Sequence, residues 1–139
     1  MNNRGKLLYT AKTRTTAGRE NGTARSDDGR LDITLATPGS ARIGTNPEQL
    51  FAAAWSACFE SAMAHAARKQ KIALPPSAAI EAEVDLKVEN DSYFISARLN
   101  IRLPGVERAA ARALVNAAHQ ICAYSKATRG NVDVTINLI

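Results

Sequence analysis

The sequence predicts an α+β fold, with two central helices and antiparallel sheets in the order β-β-α-β-β-α-β. Three segments in the second half of the chain alternate strictly between apolar and polar residues, as half-buried strands do. Two longer stretches have the composition and spacing of buried helices. With 139 residues, the chain has the length of one ordinary domain, and we expect a single domain over 1–139.

Two weaker strands are expected early in the chain, over residues 7–15 and 31–36. Residues 18–29 between them are rich in Gly, Asn and Asp. This stretch is too long for a tight turn. We therefore expect an exposed loop there, followed by part of a strand.

The first helix is expected to begin at Asn46-Pro47-Glu48 and to run to about Lys71. Asparagine is a good N-cap, proline fits the first helical position, and a carboxylate favours the positive end of a helix. Residues 50–67 are apolar on almost every side, which predicts burial on most sides. In so small a chain, such burial indicates that a partner subunit covers part of the helix.

The later strands are the three strictly alternating segments, which span residues 80–88, 95–103 and 132–138. The turn-rich tetrapeptide at 89–92 should join the first two in a hairpin. A second helix is expected over about residues 106–122, after Pro104-Gly105. Its buried face would end at Cys122.

Composition excludes several classes of function. The net charge is +5, but the basic residues are dispersed, and none of the seven aromatic residues interleaves with the small basic group at 68–71. A nucleic-acid partner is therefore not expected. The N-terminus lacks the apolar segment of an export signal, and no apolar run approaches the ~20 residues that span a bilayer. We expect a cytoplasmic protein that does not enter a membrane.

The two cysteines, Cys58 and Cys122, both lie in apolar helical stretches. Structural disulfides are rare in a reducing cytosol. The two thiols are therefore either inert core residues, as free cysteines often are, or a reactive pair. Glu48 precedes Cys58 by ten residues, which places it ~15 Å away along the helix. Only a long side chain from elsewhere could bridge them, and arginine is the natural candidate.

The histidines offer weaker candidates for a catalytic base. His65 follows Cys58 at a helical rise of ~10 Å, too far for a hydrogen bond, so a role at the helix end is preferred. His119 lies one turn before Cys122 and could contact it, although a structural role is expected. No metal site is predicted, because the chain has no Cys-x-x-Cys, no His-x-x-x-His and no third clustered ligand.

Five motifs occur in order along the chain and resemble the organic hydroperoxide resistance (Ohr) family of OsmC-like proteins. They are AGRE at 17–20, GTNPEQLFA at 44–52, SACF at 56–59, AHQICAYS at 118–125 and ATRGNV at 127–132. The resemblance extends over residues 8–139. It implies an intertwined homodimer with active sites at the subunit interface.

The resemblance further implies a thiol peroxidase that reduces organic (alkyl or lipid) hydroperoxides. Its electrons would come from a dihydrolipoyl-type dithiol, such as a lipoylated protein, and it would use neither metal nor haem. By matching motif, Cys58 is the peroxidatic cysteine and Cys122 the resolving cysteine. Arg19 is the cation beside the Cys58 thiolate, and Glu48 is the carboxylate that orients Arg19.

Three aromatic residues are candidates for an apolar wall that selects organic hydroperoxides over hydrogen peroxide: Phe51, Trp55 and Phe94. Ordinary core packing explains each of them equally well.

The chain departs from the family pattern after its second cysteine. The family commonly has proline at that position, and this chain has Ala123. Proline would move the preceding residue away from helical geometry and would remove one backbone donor. With alanine, we expect the helix to continue past Cys122.

Three other functions are compatible with the sequence. The first is a general OsmC-type peroxidase with weaker substrate preference. The second is a non-enzymatic redox sensor, which would form the same disulfide but turn over slowly. The third is a dimeric scaffold with inert cysteines, which would need neither the Arg19–Glu48 pair nor a thiol of lowered pKa.

Overall fold

The structure, a computed structural model, describes residues 4–139. Over that range its elements are β1 Thr13–Thr16, α1 Gly18–Asn21, β2 Thr23–Ser26, β3 Asp32–Thr34, α2 Pro47–Gln70, β4 Ala79–Glu89, β5 Ser92–Arg102, α3 Arg108–Ile121, α4 Ala123–Thr128 and β6 Asp133–Leu138. The predicted α+β class is confirmed. The chain divides into two compact units, one up to Pro47 and one from Glu48 onward, and a single domain stays a prediction.

The first unit contains a three-stranded antiparallel sheet in the order β1-β2-β3. The predicted first strand is wrong over residues 7–12, because the strand begins only at Thr13. The predicted loop at 18–29 holds the short helix α1 and the strand β2. The chain can pass directly from α1 into β2 because Gly22 has no side chain. A Cβ atom at that position would clash with the carbonyl oxygens of Thr16 and Gly18.

The second unit contains the sheet β4-β5-β6. The predicted hairpin is confirmed, and Asn90 and Asp91 both have the positive φ that a two-residue hairpin turn requires. Antiparallel pairing is wrong for one pair, since β6 runs parallel to β5. The helices α3 and α4 lie between these strands in the chain. Such a crossover returns the chain to the same end of the sheet, which makes the pair parallel.

The outer face of the hairpin carries a ladder of ion pairs. Arg98 donates to both oxygens of Asp85 at 2.7 and 2.9 Å and to Glu83 at 3.2 Å. The hydrogen bonds from Arg98 hold the pKa of the Asp85 carboxyl well below its usual range. Exposed pairs of this kind contribute little stability each. The residues that alternate with them on β5, among them Ala97, Leu99 and Ile101, are buried in the core with Trp55 and Phe59. The apolar residues of the strands therefore face the helices.

The first long helix, α2, begins and ends within one residue of the predicted bounds. In the single chain, one side of α2 is buried, formed by Trp55, Phe59, Ala62, Met63, Ala66 and Ala67. Burial on most sides, which depends on a partner subunit, stays a prediction. Ala53, Ala57 and Ser61 on α2 are exposed in the single chain. The partner subunit expected to cover them stays a prediction. Within residues 4–139, no helix combines the length and hydropathy needed to cross a bilayer.

The second long helix, α3, begins after Glu107, whose carboxylate accepts the amide hydrogens of Ala109 and Ala110 at 3.1 Å each. The expectation that the helix continues past Cys122 is wrong. Cys122 has φ −65° and ψ 127°, which is extended backbone, and α4 starts at Ala123. The backbone therefore breaks without proline. Tertiary contacts at this point, which bury Cys122 and Ser125, override the helical preference of alanine.

Candidate active site

The two cysteines meet in the second unit. Cys58 lies in the middle of α2, and Cys122 occupies the break between α3 and α4. Both are free thiols, and the Cys122 thiol donates a hydrogen bond to the Cys58 sulfur at 3.1 Å. A disulfide has an S–S distance of ~2.05 Å, so a movement of about 1 Å would join them. The structure thus brings two cysteines that are 64 residues apart in the chain within hydrogen-bonding distance of each other.

The two sulfurs differ in access to solvent. Cys122 is 1% exposed and belongs to the main hydrophobic core, whereas Cys58 is half-buried and packs against that core. A solute therefore reaches Cys58 before Cys122. Cys58 is therefore the better placed of the two thiols to react with a dissolved reagent.

Their pKa values are shifted in opposite directions. Burial is the largest influence on Cys58 and opposes its ionisation, but backbone hydrogen bonds from Tyr124 and Ala123 and the Cys122 thiol together lower its pKa below the ordinary value. Burial raises the pKa of Cys122, and the neighbouring Cys58 adds to that rise. The shared proton therefore stays on Cys122, and the negative charge develops on Cys58.

The segment after Cys122 is fastened to α2 by side chains on its neighbouring turns. The indole Nε1 of Trp55 donates to the hydroxyl oxygen of Ser125 at 3.2 Å, and both side chains are fully buried. The ring of Phe51 meets the ring of Tyr124 edge to face at 6.1 Å between centroids. Together with the cysteine contact, these interactions hold residues 122–125 along α2.

Sequence reasoning missed Ser125. A signal for it exists, because a buried tryptophan usually finds a hydrogen-bond acceptor for its N–H. Trp55 is the only tryptophan of the chain and lies in its most apolar helix. A polar residue that stays buried, such as Ser125, is the partner that such a tryptophan needs.

The fold and the cysteine geometry can be compared with known proteins. The family model described as OsmC-like protein matches residues 37–137 of this chain. A curated organic hydroperoxide resistance protein of Xanthomonas axonopodis pv. citri is 46% identical over 137 residues, which is 96% of each chain. The chain belongs to the Ohr family of OsmC-like proteins.

Solved Ohr structures agree with this assignment. The organic hydroperoxide resistance protein OhrB of Bacillus subtilis superposes with a TM-score of 0.89 at 43% identity, covering 96% of this chain and 100% of that one. An organic hydroperoxide resistance protein of Legionella pneumophila gives a TM-score of 0.88 at 42% identity, covering 96% and 98%. The OsmC/Ohr fold predicted from the sequence is therefore confirmed.

The other predicted site residues of this Ohr chain lie on different elements. Arg19 is on α1 in the first unit, and Glu48 is in the first turn of α2 in the second unit. Phe51 is half-buried and contacts Trp55 edge to face at 5.6 Å. Phe94 is 46% exposed on β5, with the Lys87 ammonium 6.0 Å from its ring centroid. The catalytic roles of Arg19 and Glu48 and the wall role of the aromatic residues stay predictions.

His119 packs against the core on the side of Phe59, with ring centroids 6.4 Å apart. Burial lowers the pKa of its imidazole, and the nearby Arg129 guanidinium lowers it further. Its Nδ1 is buried and has no hydrogen-bond partner among residues 4–139. Both influences favour the neutral imidazole. His65 is exposed on the last part of α2.

A metal centre finds no support in the part of the chain that the structure describes. Across residues 4–139, no three His, Cys, Asp or Glu side chains are grouped so that they could hold an ion.

The thiol asymmetry predicts which cysteine a limiting alkylating reagent modifies. With substoichiometric iodoacetamide at neutral pH, Cys58 should be modified well before Cys122, because it is more exposed and its thiol ionises more readily. Peptide mass mapping after partial modification measures the ratio. Equal labelling of the two cysteines, or faster labelling of Cys122, would contradict the assignment of the charge to Cys58.

Proposed function

We propose that this chain is a thiol-dependent peroxidase that reduces organic hydroperoxides to alcohols. The observation that carries the proposal is the hydrogen bond from the Cys122 thiol to the Cys58 sulfur at 3.1 Å, between an accessible and a buried cysteine. Membership in the Ohr family supports it, since close relatives are named for resistance to organic hydroperoxides.

In the first step, the Cys58 thiolate attacks the terminal oxygen of the hydroperoxide. The O–O bond breaks, a Cys58 sulfenic acid forms, and the departing alkoxide takes up a proton to become the alcohol. Sulfur loses two electrons and the peroxide gains them. The nucleophile is the thiolate, so the hydrogen bonds that lower the Cys58 pKa increase its reactive fraction.

In the second step, the Cys122 sulfur attacks the Cys58 sulfur. The new S–S bond displaces hydroxide from the sulfenic acid, and the thiol proton of Cys122 leaves with it as water. The sulfur atoms start near one another, so the step requires a small displacement and no rearrangement of α2 or α3.

In the third step, a dithiol restores the two thiols by exchange. The reductant attacks one sulfur of the disulfide, and its second thiol then releases the mixed disulfide. Access favours attack at Cys58, because Cys122 is 1% exposed. A dihydrolipoyl-type dithiol, free or carried on a lipoylated protein, is the proposed reductant, and neither metal nor haem is required.

Arg19 and Glu48 are proposed to complete the site, on the strength of the family motifs that contain them. A guanidinium beside the Cys58 sulfur would favour the thiolate and donate hydrogen bonds to the peroxide oxygens as charge develops on them. A carboxylate paired with that guanidinium would limit the cost of holding the cation in an apolar pocket.

Preference for organic substrates is proposed to come from apolar side chains near Cys58. Phe51 and Trp55 occupy the turns of α2 that precede Cys58, and both belong to its apolar surroundings. Trp55 is fully buried, so Phe51 is the better placed of the two to touch an alkyl chain. Phe94, which lies on β5, is proposed as a third residue of this apolar wall on the basis of the sequence alone.

The catalytic unit is proposed to be a homodimer. Ala53, Ala57 and Ser61 are small residues exposed on α2 in the single chain. Small side chains allow another backbone to approach closely. A second copy of the chain is the proposed cover.

A redox sensor is the second candidate, because the same cysteine contact would suit a protein that only records oxidation. The two functions differ in recycling. A peroxidase turns over many times with a dithiol, whereas a sensor forms its disulfide once and is reduced slowly. A general OsmC-type peroxidase would recycle equally but would not prefer organic hydroperoxides over hydrogen peroxide.

Serine variants of the two cysteines test the proposal. Cys58→Ser should abolish reduction of cumene hydroperoxide, because the nucleophile is gone. Cys122→Ser should consume one equivalent of hydroperoxide in a single turnover. It should then stop, even when a dihydrolipoyl-type dithiol is present, because no disulfide forms for the dithiol to reduce. The measurement is hydroperoxide consumed per protein over time. Undiminished turnover by either variant would remove that cysteine from its proposed step.

A second test addresses the guanidinium. Arg19→Ala should raise the pKa of Cys58 and slow the first step. Arg19→Lys should change both quantities less, because lysine keeps the positive charge but lacks the planar pair of donors. Thiolate absorbance against pH and single-turnover kinetics measure the two effects. If Arg19→Ala left both unchanged, Arg19 would have no part in activating Cys58.

A further inference from the structure

We propose that Arg129 is a positioning residue for Cys122. Its guanidinium joins the last turn of α3 to the segment that follows α4, and it thereby holds the break between the two helices at the geometry in which the Cys122 thiol meets Cys58. This inference deepens the proposed function and rests on it, because Cys122 is taken as the resolving cysteine. Arg129 acts through the main chain and is not a catalytic residue.

The side chain of Arg129 spans the break at Cys122. Its Nη2 donates a hydrogen bond to the main-chain carbonyl of His119 at 2.6 Å. His119 lies in the last turn of α3, and Arg129 directly follows α4 as its C-cap residue. Cys122 lies between these two residues in the chain, so the hydrogen bond closes a ring of main chain that contains the break.

The end of α3 is well suited to bind a guanidinium. The last carbonyls of a helix have no amide partner within it and carry the negative end of the helix dipole. The Cys122 amide donates to the Ala118 carbonyl at 2.8 Å, and the Arg129 guanidinium donates to the next carbonyl. His119 is the basic residue of this last turn, but its environment favours the neutral imidazole. Arg129 therefore supplies the positive charge at this end of α3.

The main chain on either side of Arg129 is fixed by hydrogen bonds. The hydroxyl of the buried Thr128 donates to the Tyr124 carbonyl at 2.8 Å, and the Thr128 carbonyl accepts from the Val132 amide at 2.9 Å. The Arg129 amide donates to the Ser125 carbonyl at 3.1 Å. The guanidinium therefore reaches back to α3 from a fixed base, and its hydrogen bond restricts the angle between α3 and α4.

The angle between α3 and α4 decides where the Cys122 thiol lies. Cys122 has φ −65° and ψ 127°, so it is an extended residue between two helices, and rotation there would move one helix relative to the other. The buried indole contact ties α4 to α2. The hydrogen bond from Arg129 to His119 ties the end of α4 to α3. The two links act on both sides of the residue whose sulfur lies 3.1 Å from that of Cys58.

Thiol exchange with dithiobis(nitrobenzoate), an aromatic disulfide, tests the inference in the full chain. The Cys58 thiolate displaces one thionitrobenzoate and forms a mixed disulfide. The Cys122 sulfur then attacks the Cys58 sulfur, releases a second thionitrobenzoate and gives up its proton. The absorbance of the released thiolate resolves the two phases. Arg129→Ala should slow the second phase about two- to tenfold, as expected for the loss of one hydrogen bond, and should leave the first phase unchanged.

Two further variants show whether the hydrogen bond to α3 is the cause. Arg129→Lys keeps the positive charge and should restore part of the second-phase rate. Lys126→Ala removes a positive charge from the exposed side of α4, leaves the bond to His119 in place, and should match the parent protein. An unchanged second phase in Arg129→Ala would overturn the inference. Equal slowing of both phases, or the same slowing in Lys126→Ala, would also overturn it.

A titration of His119 checks the placement of the guanidinium without any reaction of the thiols. Burial and, after it, the Arg129 guanidinium lower the pKa of the His119 imidazole. Arg129→Ala should therefore raise that pKa, and Lys126→Ala should leave it as in the parent protein. Proton NMR of the imidazole ring against pH measures the shift. An unchanged His119 titration in Arg129→Ala would place the guanidinium away from the end of α3 and would contradict the inference.

The outcomes separate this inference from the proposed function, because the exchange reaction needs no hydroperoxide. If Arg129→Ala slows only the second phase but organic hydroperoxides are not reduced by the parent protein, the peroxidase proposal fails and the role of Arg129 stands. If hydroperoxides are reduced but the second phase is unchanged in Arg129→Ala, the peroxidase proposal stands and the role of Arg129 fails.

Discussion

The hydrogen bond from the Cys122 thiol to the Cys58 sulfur is the interaction on which the chemistry of this chain depends. It exists because the helical path breaks at one residue. A helix continuing through Cys122 would carry the next amides along the same axis and would leave Ser125 away from Trp55. The extended backbone at Cys122 instead turns residues 123–125 onto α2. The break at Cys122 thus brings together the thiol pair and the buried indole contact.

The surroundings of the pair assign a different role to each sulfur. The buried Cys122 keeps its proton, and the half-buried Cys58 carries the charge, because the hydrogen bonds of the segment outweigh the cost of its burial. The Trp55–Ser125 hydrogen bond is fully buried, so breaking it would leave a polar group without a partner at a cost of about 1–3 kcal/mol. That cost helps to hold the segment in place against α2.

Much of the second unit could be predicted from the sequence, because its signals are local. The Asn46-Pro47-Glu48 start of α2 and the alternating strands of the hairpin specify their structures directly. The parallel β6 and the break at Cys122 could not be predicted, because both arise from packing between segments distant in the chain. The cysteines were identified as a candidate pair, but their contact required the fold. Ser125 was missed because its burial is set by Trp55, 70 residues away.

Intact-mass spectrometry of the reduced protein after one equivalent of cumene hydroperoxide, with hydrogen peroxide in parallel, tests the central claim most directly. Disulfide formation between Cys58 and Cys122 predicts the rapid loss of two hydrogen atoms, faster with the organic hydroperoxide, and a peptide map that links the two cysteines. An unchanged mass with both oxidants would show that the thiols are unreactive despite their contact. A stable gain of one oxygen would show that Cys58 reacts but that Cys122 does not resolve it. Either result would contradict the proposed cycle.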